Sequence, residues 1–140
     1  MQIVFKRSPE YPQIEREFSQ LDKRLYQIID FMRQEAWRRW NDMLVVTRVF
    51  ENDGTTHSSP PPYRFIDFAI LESDLRGMPL DKSDLKNSEI LRGLVNQKFV
   101  YGDGKRSTIE ELRHGNAPHF HVQVPPTKAL SVWYREAKGV

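Results

Sequence analysis

The chain has 140 residues, 39% of them hydrophobic and 29% charged, values that exclude wholesale disorder and suit one domain with its own core. Its 21 basic and 19 acidic residues leave a formal charge of +2, too balanced to point to nucleic acid, which is not expected as a partner. With no cysteine there is no disulfide framework, and any metal must be held by His, Asp or Glu.

In chain order, MQIVFKRSPEYP offers only a short apolar stretch. No signal peptide is read there, and no run approaches the ~20 apolar residues of a membrane helix. The expectation is a protein that is cytoplasmic as synthesised. Residues 12–40 predict one long amphipathic helix, because Ile14, Phe18, Leu21, Leu25, Ile28 and Met32 recur at alternating spacings of four and three. Pro12 suits its first turn, and Asn41 and Asp42 break it. MLVVTRVF (43–50) predicts a mostly buried strand. ENDGTTHSSPPP (51–62) is a turn-rich loop with its sharpest bend at Asp53-Gly54, stiffened by prolines at its end. YRFIDFAI (63–70) predicts a second strand.

A polar stretch broken by Gly77 and Pro79 follows. Residues 88–99 predict a second helix, capped by Ser88, with Ile90, Leu91, Leu94, Val95 and Phe99 on one face. Gly102-Asp103-Gly104 forms a turn, and 107–114 a short helical segment. HFHVQV (119–124) alternates as a third strand and is stopped by Pro125-Pro126. KALSVWYREA (128–137) does not resolve between strand and helix. The sum is one α+β domain over 1–140, a small, mostly antiparallel sheet with helices packed on it.

The basic residues Lys23, Arg33, Arg38 and Arg39 interleave with Glu15, Glu17, Asp22, Asp30 and Glu35, which reads as a solvated charged face. Trp37, Trp40 and Trp133 are assigned to the core, and PPPY at 60–63 to a stiff loop wall.

The chemistry concentrates in the histidines. Alternation in HFHVQV puts His119, His121 and Gln123 on one side, half open, with Phe120, Val122 and Val124 toward the core. Two imidazoles presented this way share a metal or a proton. Of the four histidines, His114, His119 and His121 lie within eight residues of one another, and His57 precedes the strand that contains Asp67. Asp67 sits in the apolar run FIDFA, where a carboxylate is costly to bury unless it binds a metal or pairs with a cation, Arg48 or Arg64.

THSSPPPYRFIDFA followed by HGNAPHFHVQV resembles the zinc metallopeptidases of the D-Ala-D-Ala carboxypeptidase and murein endopeptidase type, whose fold is shared with the hedgehog signalling domain. LVVTRVFENDG resembles the strand ahead of the family's first ligand, so that the likeness spans 43–124. The resemblance implies one zinc ion held by His57, Asp67 and His121, with the fourth position left for water. Pro118 stands where the E-x-x-H branch carries its Glu, so the H-x-H branch is the nearer one. There His119 is the base or transition-state stabiliser, and His114 its partner or proton relay, with Glu110 and Glu111 as alternatives. His57 and Asp67 lie ten residues apart, a longer spacing than family members use, which a loop insertion accommodates. Arg48, or Arg64, would stabilise the oxyanion or bind a substrate carboxylate. The implied activity is hydrolysis of a short peptide, a peptidoglycan stem or cross-link, as in an endolysin reaching the cell wall after release. A catalytically inactive zinc-binding module with the same fold is the alternative.

Overall fold

The computed structural model describes residues 3–5, 11–50, 60–72, 85–101, 108–109, 120–124 and 132–134. In chain order these form β1 (Ile3–Phe5), α1 (Tyr11–Phe18), α2 (Lys23–Trp40), β2 (Asp42–Arg48), β3 (Phe65–Glu72), α3 (Leu85–Lys98), β4 (Phe99–Tyr101), β5 (Thr108–Ile109), β6 (Phe120–Gln123) and β7 (Val132–Tyr134). A five-stranded sheet has the order β1-β2-β3-β6-β5, and β4 pairs with β7. Only β1–β2 is parallel; β2–β3, β3–β6, β5–β6 and β4–β7 are antiparallel. The expected α+β architecture with a mostly antiparallel sheet is therefore present. Among the described residues, no helix is long and apolar enough to cross a membrane.

The predicted helix over 12–40 is two helices. Ser19 and Gln20 form a turn, and Leu21 makes a parallel bridge with Tyr63. Asp22 restarts the helix, its side chain accepting from the Arg24 N–H at 2.9 Å. That satisfies one of the orphan donors of the first turn. The apolar period survives the break because Ile14 and Leu21, like Leu25, Ile28 and Met32, all reach the same core. Asn41 ends α2 in the left-handed region at φ 58°, where its side chain is tolerated better than most. Asp42 does not merely break the helix: it opens β2, buried, and accepts from the Asn87 side chain of α3 at 2.9 Å.

The main core lies between the helices and one face of the sheet. Leu25, Ile28, Met32 and Ala36 of α2 and Leu91 and Val95 of α3 meet Leu44, Val46, Ile66, Phe68, Ile70 and Val122. Each large side chain buried this way contributes about 1.5–3 kcal/mol, far above the few tenths at stake in helix propensity per residue. Packing decides these helices. Ser88 is not the cap of α3 but a buried residue inside it, on the face of Leu91 and Val95. Ile90, expected on that face, is 40% exposed, because it stands one step around the helix from Leu91.

The sheet's second face is also buried at its centre, by Met43, Val45 and Ala69. Strands covered on both faces read as nearly continuous apolar runs, which is why MLVV and FIDFAI show no clean alternation. Thr108–Ile109 is a strand and not the start of the expected helical segment, since it completes the sheet against β6. The ambiguous run near the C-terminus contains β7, a strand, paired with β4.

Candidate functional site

β6 is the strand that builds the site. It enters the sheet beside β3, so that residues far apart in sequence become cross-strand neighbours: Asp67 stands opposite His121, and Ile66 opposite Val122. Alternation then sends Val122 to the core and His121 to the second face, as the period of two predicts. On the other side of β3 the register with β2 shifts between Val46 and Arg48, which brings Arg48 opposite Asp67. The extra residue in such a bulge re-aims the side chains beyond it. Arg48, Asp67 and His121 therefore lie in one row across three strands.

Within that row His121 Nδ1 and Asp67 Oδ1 are 2.8 Å apart, a charge-assisted hydrogen bond in length. The pair is deeply buried, with 5% of Asp67 and 4% of His121 exposed. The expected half-open face is thus closed at His121 and Asp67, beside buried Phe65 and Ala69, while Arg48 and Gln123 on the same side are half-buried. On its other side, His121 Nε2 lies 3.3 Å from the Gln123 side-chain oxygen Oε1, so the contacts run as a chain Asp67–His121–Gln123. Alternation puts Gln123 on this face, and the H-x-H-x-Q spacing is the sequence signal that it belongs to the row.

Asp67 is partnered by His121, where the alternatives to a metal were Arg48 and Arg64. Arg64 is directed elsewhere, its Nη1 donating to the Val124 carbonyl at 3.2 Å. Arg48 is half-buried beside Asp67 in the register. His57, His114, His119, Glu110 and Glu111 lie outside the described residues. The structure thus brings together two of the three expected ligands and the expected basic residue. Among the described residues no group of three His, Asp or Glu side chains forms a metal cage.

An imidazole nitrogen and a carboxylate oxygen side by side are a donor set that zinc accepts. Two ligands of one tetrahedral zinc stand about 3.3 Å apart, so the pair, at 2.8 Å, would part slightly to hold the ion. The short contact also serves the protein without metal, since it gives a buried carboxylate a hydrogen-bond partner. What the row offers chemically is an oriented imidazole, a carboxylate that fixes its tautomer, and an adjacent guanidinium suited to an oxyanion or carboxylate. Comparison with family models, with curated proteins and with solved structures finds no match to this chain.

Proposed function

We propose that this chain is a zinc-dependent peptidase of the D-Ala-D-Ala carboxypeptidase and murein endopeptidase type, acting on a short peptide such as a peptidoglycan stem or cross-link. The observation that carries the reading is the juxtaposition of Asp67 and His121, 54 positions apart in sequence and 2.8 Å apart in space. The resemblance requires these two side chains to share one ion, and it rests on motifs that say nothing of strand order. Their meeting on β3 and β6, with Arg48 in the same row, supports it independently.

In this reading Asp67 and His121 hold zinc together with His57. Zinc bound there would supply an acidified water and polarise a scissile carbonyl. His119 takes the proton from the attacking water and returns it to the leaving amine, with His114 as its relay. The Arg48 guanidinium receives the developing oxyanion or the substrate carboxylate. Gln123 keeps His121 in orientation from the side away from Asp67.

The inactive zinc-binding module is the second reading, favoured by the depth of the pair, since a substrate carbonyl must reach groups that are 5% and 4% exposed. Metal analysis of the purified chain separates the cases. Both readings expect about one zinc per chain, retained on gel filtration and lost in Asp67→Asn and His121→Gln. A melting curve on each variant keeps loss of zinc distinct from loss of fold. Release of fragments from purified peptidoglycan, absent in His119→Ala with zinc still bound, marks the peptidase; zinc without cleavage marks the module. Zinc retained in both ligand variants would remove the site.

A further inference from the structure

A cleft of about 400 Å³ lies between the outer side of α2 and the end of α3, and its lining includes Phe31, Gln34, Glu35, Trp37, Arg38 and Lys98. The helices pack on the other face of the sheet from the Asp67–His121 row, so this is a separate site. Its unusual member is Trp37. Expected in the core, the indole is instead 40% exposed, because position 37 follows buried Ala36 by one step around the helix. Among the described residues, Trp37 and Ile90 are the large apolar side chains exposed to this extent, and of the two only Trp37 lines the cleft. A large aromatic ring left in water in a concave setting is a feature that core packing does not require.

Helix geometry alone sets polar side chains beside the indole. Gln34 precedes Trp37 by three positions and Arg38 by four, so the three are neighbours on the helix surface, and all three are exposed. Each polar member is held in place. The Gln34 amide donates to Asp30 Oδ2 at 2.9 Å, and Arg38 Nη2 donates to Glu35 Oε2, which also accepts from Arg39 Nε at 2.9 Å. Partial burial raises the Glu35 carboxyl, but the bonds from Arg39 and Arg38 pull it below its usual value, so at neutral pH it is an ionised acceptor. The ring and its neighbours are mounted on one unbroken helix whose inner side is fixed by Leu25, Ile28, Met32 and Ala36. A platform on a packed helix is ordered before any ligand arrives.

We propose that this cleft binds a neutral saccharide, one pyranose ring lying with its C–H face on Trp37 and its hydroxyls meeting Gln34, Glu35 and Arg38. The lining sets a carboxylate beside a guanidinium, so a phosphate would face Glu35, and an ammonium group Arg38, as like charges. A hydroxyl donates and accepts at once and is served by both. The amide of Gln34 likewise offers a donor and an acceptor. What hydroxyl contacts leave unmatched is the apolar C–H face of the sugar ring, and the indole supplies a flat apolar surface for it. The volume is that of a small-ligand site. A membrane surface fits less well, since the exposed apolar surface is a single ring in a concavity and not a continuous apolar helix face.

The test titrates maltotriose, cellotriose and chitotriose, each into the millimolar range, against the isotope-labelled full chain followed by proton–nitrogen NMR. At least one is expected to move the indole N–H signal of Trp37, assigned by its loss in Trp37→Phe, together with the backbone signals of Gln34 and Arg38. Because the ligand is uncharged, its dissociation constant should stay the same from about 50 to 200 mM salt, where a phosphate-bearing ligand would weaken. Trp37→Ala should weaken binding about tenfold, and Trp37→Phe by less. Gln34→Ala and Arg38→Ala should each weaken it about threefold. Gln27→Ala, exposed on α2 outside the cleft, should leave it unchanged. The proposal is overturned if none of the three saccharides moves the Trp37 signal, if Trp37→Ala binds as the parent does, or if phosphatidylcholine vesicles move that signal and no saccharide does. All of these side chains are on the surface, and an unchanged melting curve confirms that each variant is folded. None of the readouts involves zinc, so the outcome stands whether or not the Asp67–His121 row holds an ion.

Discussion

At the scale of single residues, the Asp67–His121 contact has a stability consequence apart from any metal. Truncating His121 to Ala removes the 2.8 Å contact from a carboxylate that is 5% exposed, and removal of one member of a buried pair costs about 3–5 kcal/mol. Urea unfolding should show that loss in His121→Ala, and a smaller one in the double variant Asp67→Asn, His121→Ala, in which no charge is stranded. A double variant as unstable as the single one would mean that the contact is not a charged pair. The sequence made this contact legible from one side only. Asp67 was conspicuous because FIDFA surrounds it with apolar residues, and His121 because of H-x-H. Nothing in either motif states that β6 lies next to β3, nor that both faces of the sheet are covered, which is why the site was expected to be half open. Gln123 illustrates the same limit: its face was readable, its partner was not.

Among the elements, the division of the first helix is the most instructive difference between expectation and structure. Hydrophobic spacing is continuous through 12–40, yet the chain breaks at Ser19 and Gln20 and restarts on Asp22. Periodicity reports which side of the chain is buried and not whether the backbone is helical at each step, so a turn that returns Leu21 to the core leaves no trace in it. The polar run S-Q-L-D was the local signal, with Asp22 as a cap. Asp22→Ala should cost about 1 kcal/mol in urea unfolding through loss of that cap. Burial pushes the Asp22 carboxyl up, but the Arg24 side chain and backbone N–H pull it down further, and its pKa ends below the usual value. The stabilisation is therefore present at neutral pH, above the unfolded pKa, and is lost as pH falls below about 4 through the lower folded value. Asp22→Asn, which keeps a capping oxygen without the charge, should lose less stability between pH 6 and pH 3 than the parent does. The opposite ordering would show that the carboxylate is not held by Arg24.

For the molecule as a whole, the α+β class, the helix–strand–strand order and most core positions were readable from apolar spacing, because burial is what that spacing records. Strand order was not, since it depends on partners distant in sequence. The order β1-β2-β3-β6-β5 places β3 between two partners and under buried layers on both faces. Native-state hydrogen exchange should find the amides of Phe68 and Ile70 opening only with global unfolding, while those of Ile3–Phe5 on the edge strand exchange through local opening. Equal protection of the two sets would contradict this sheet order.

The insertion of β6 beside β3 also sets a schedule. During synthesis Asp67 emerges long before His121, and until β6 arrives the strand edge that will receive it stays open. Contacts of such wide sequence separation are closed late, since chain entropy is spent on them before they return anything. The pair thus exists only once β6 is in place. A nascent or truncated chain that stops short of β6 carries the carboxylate without its imidazole, so the proposed chemistry stays switched off until β6 has been made.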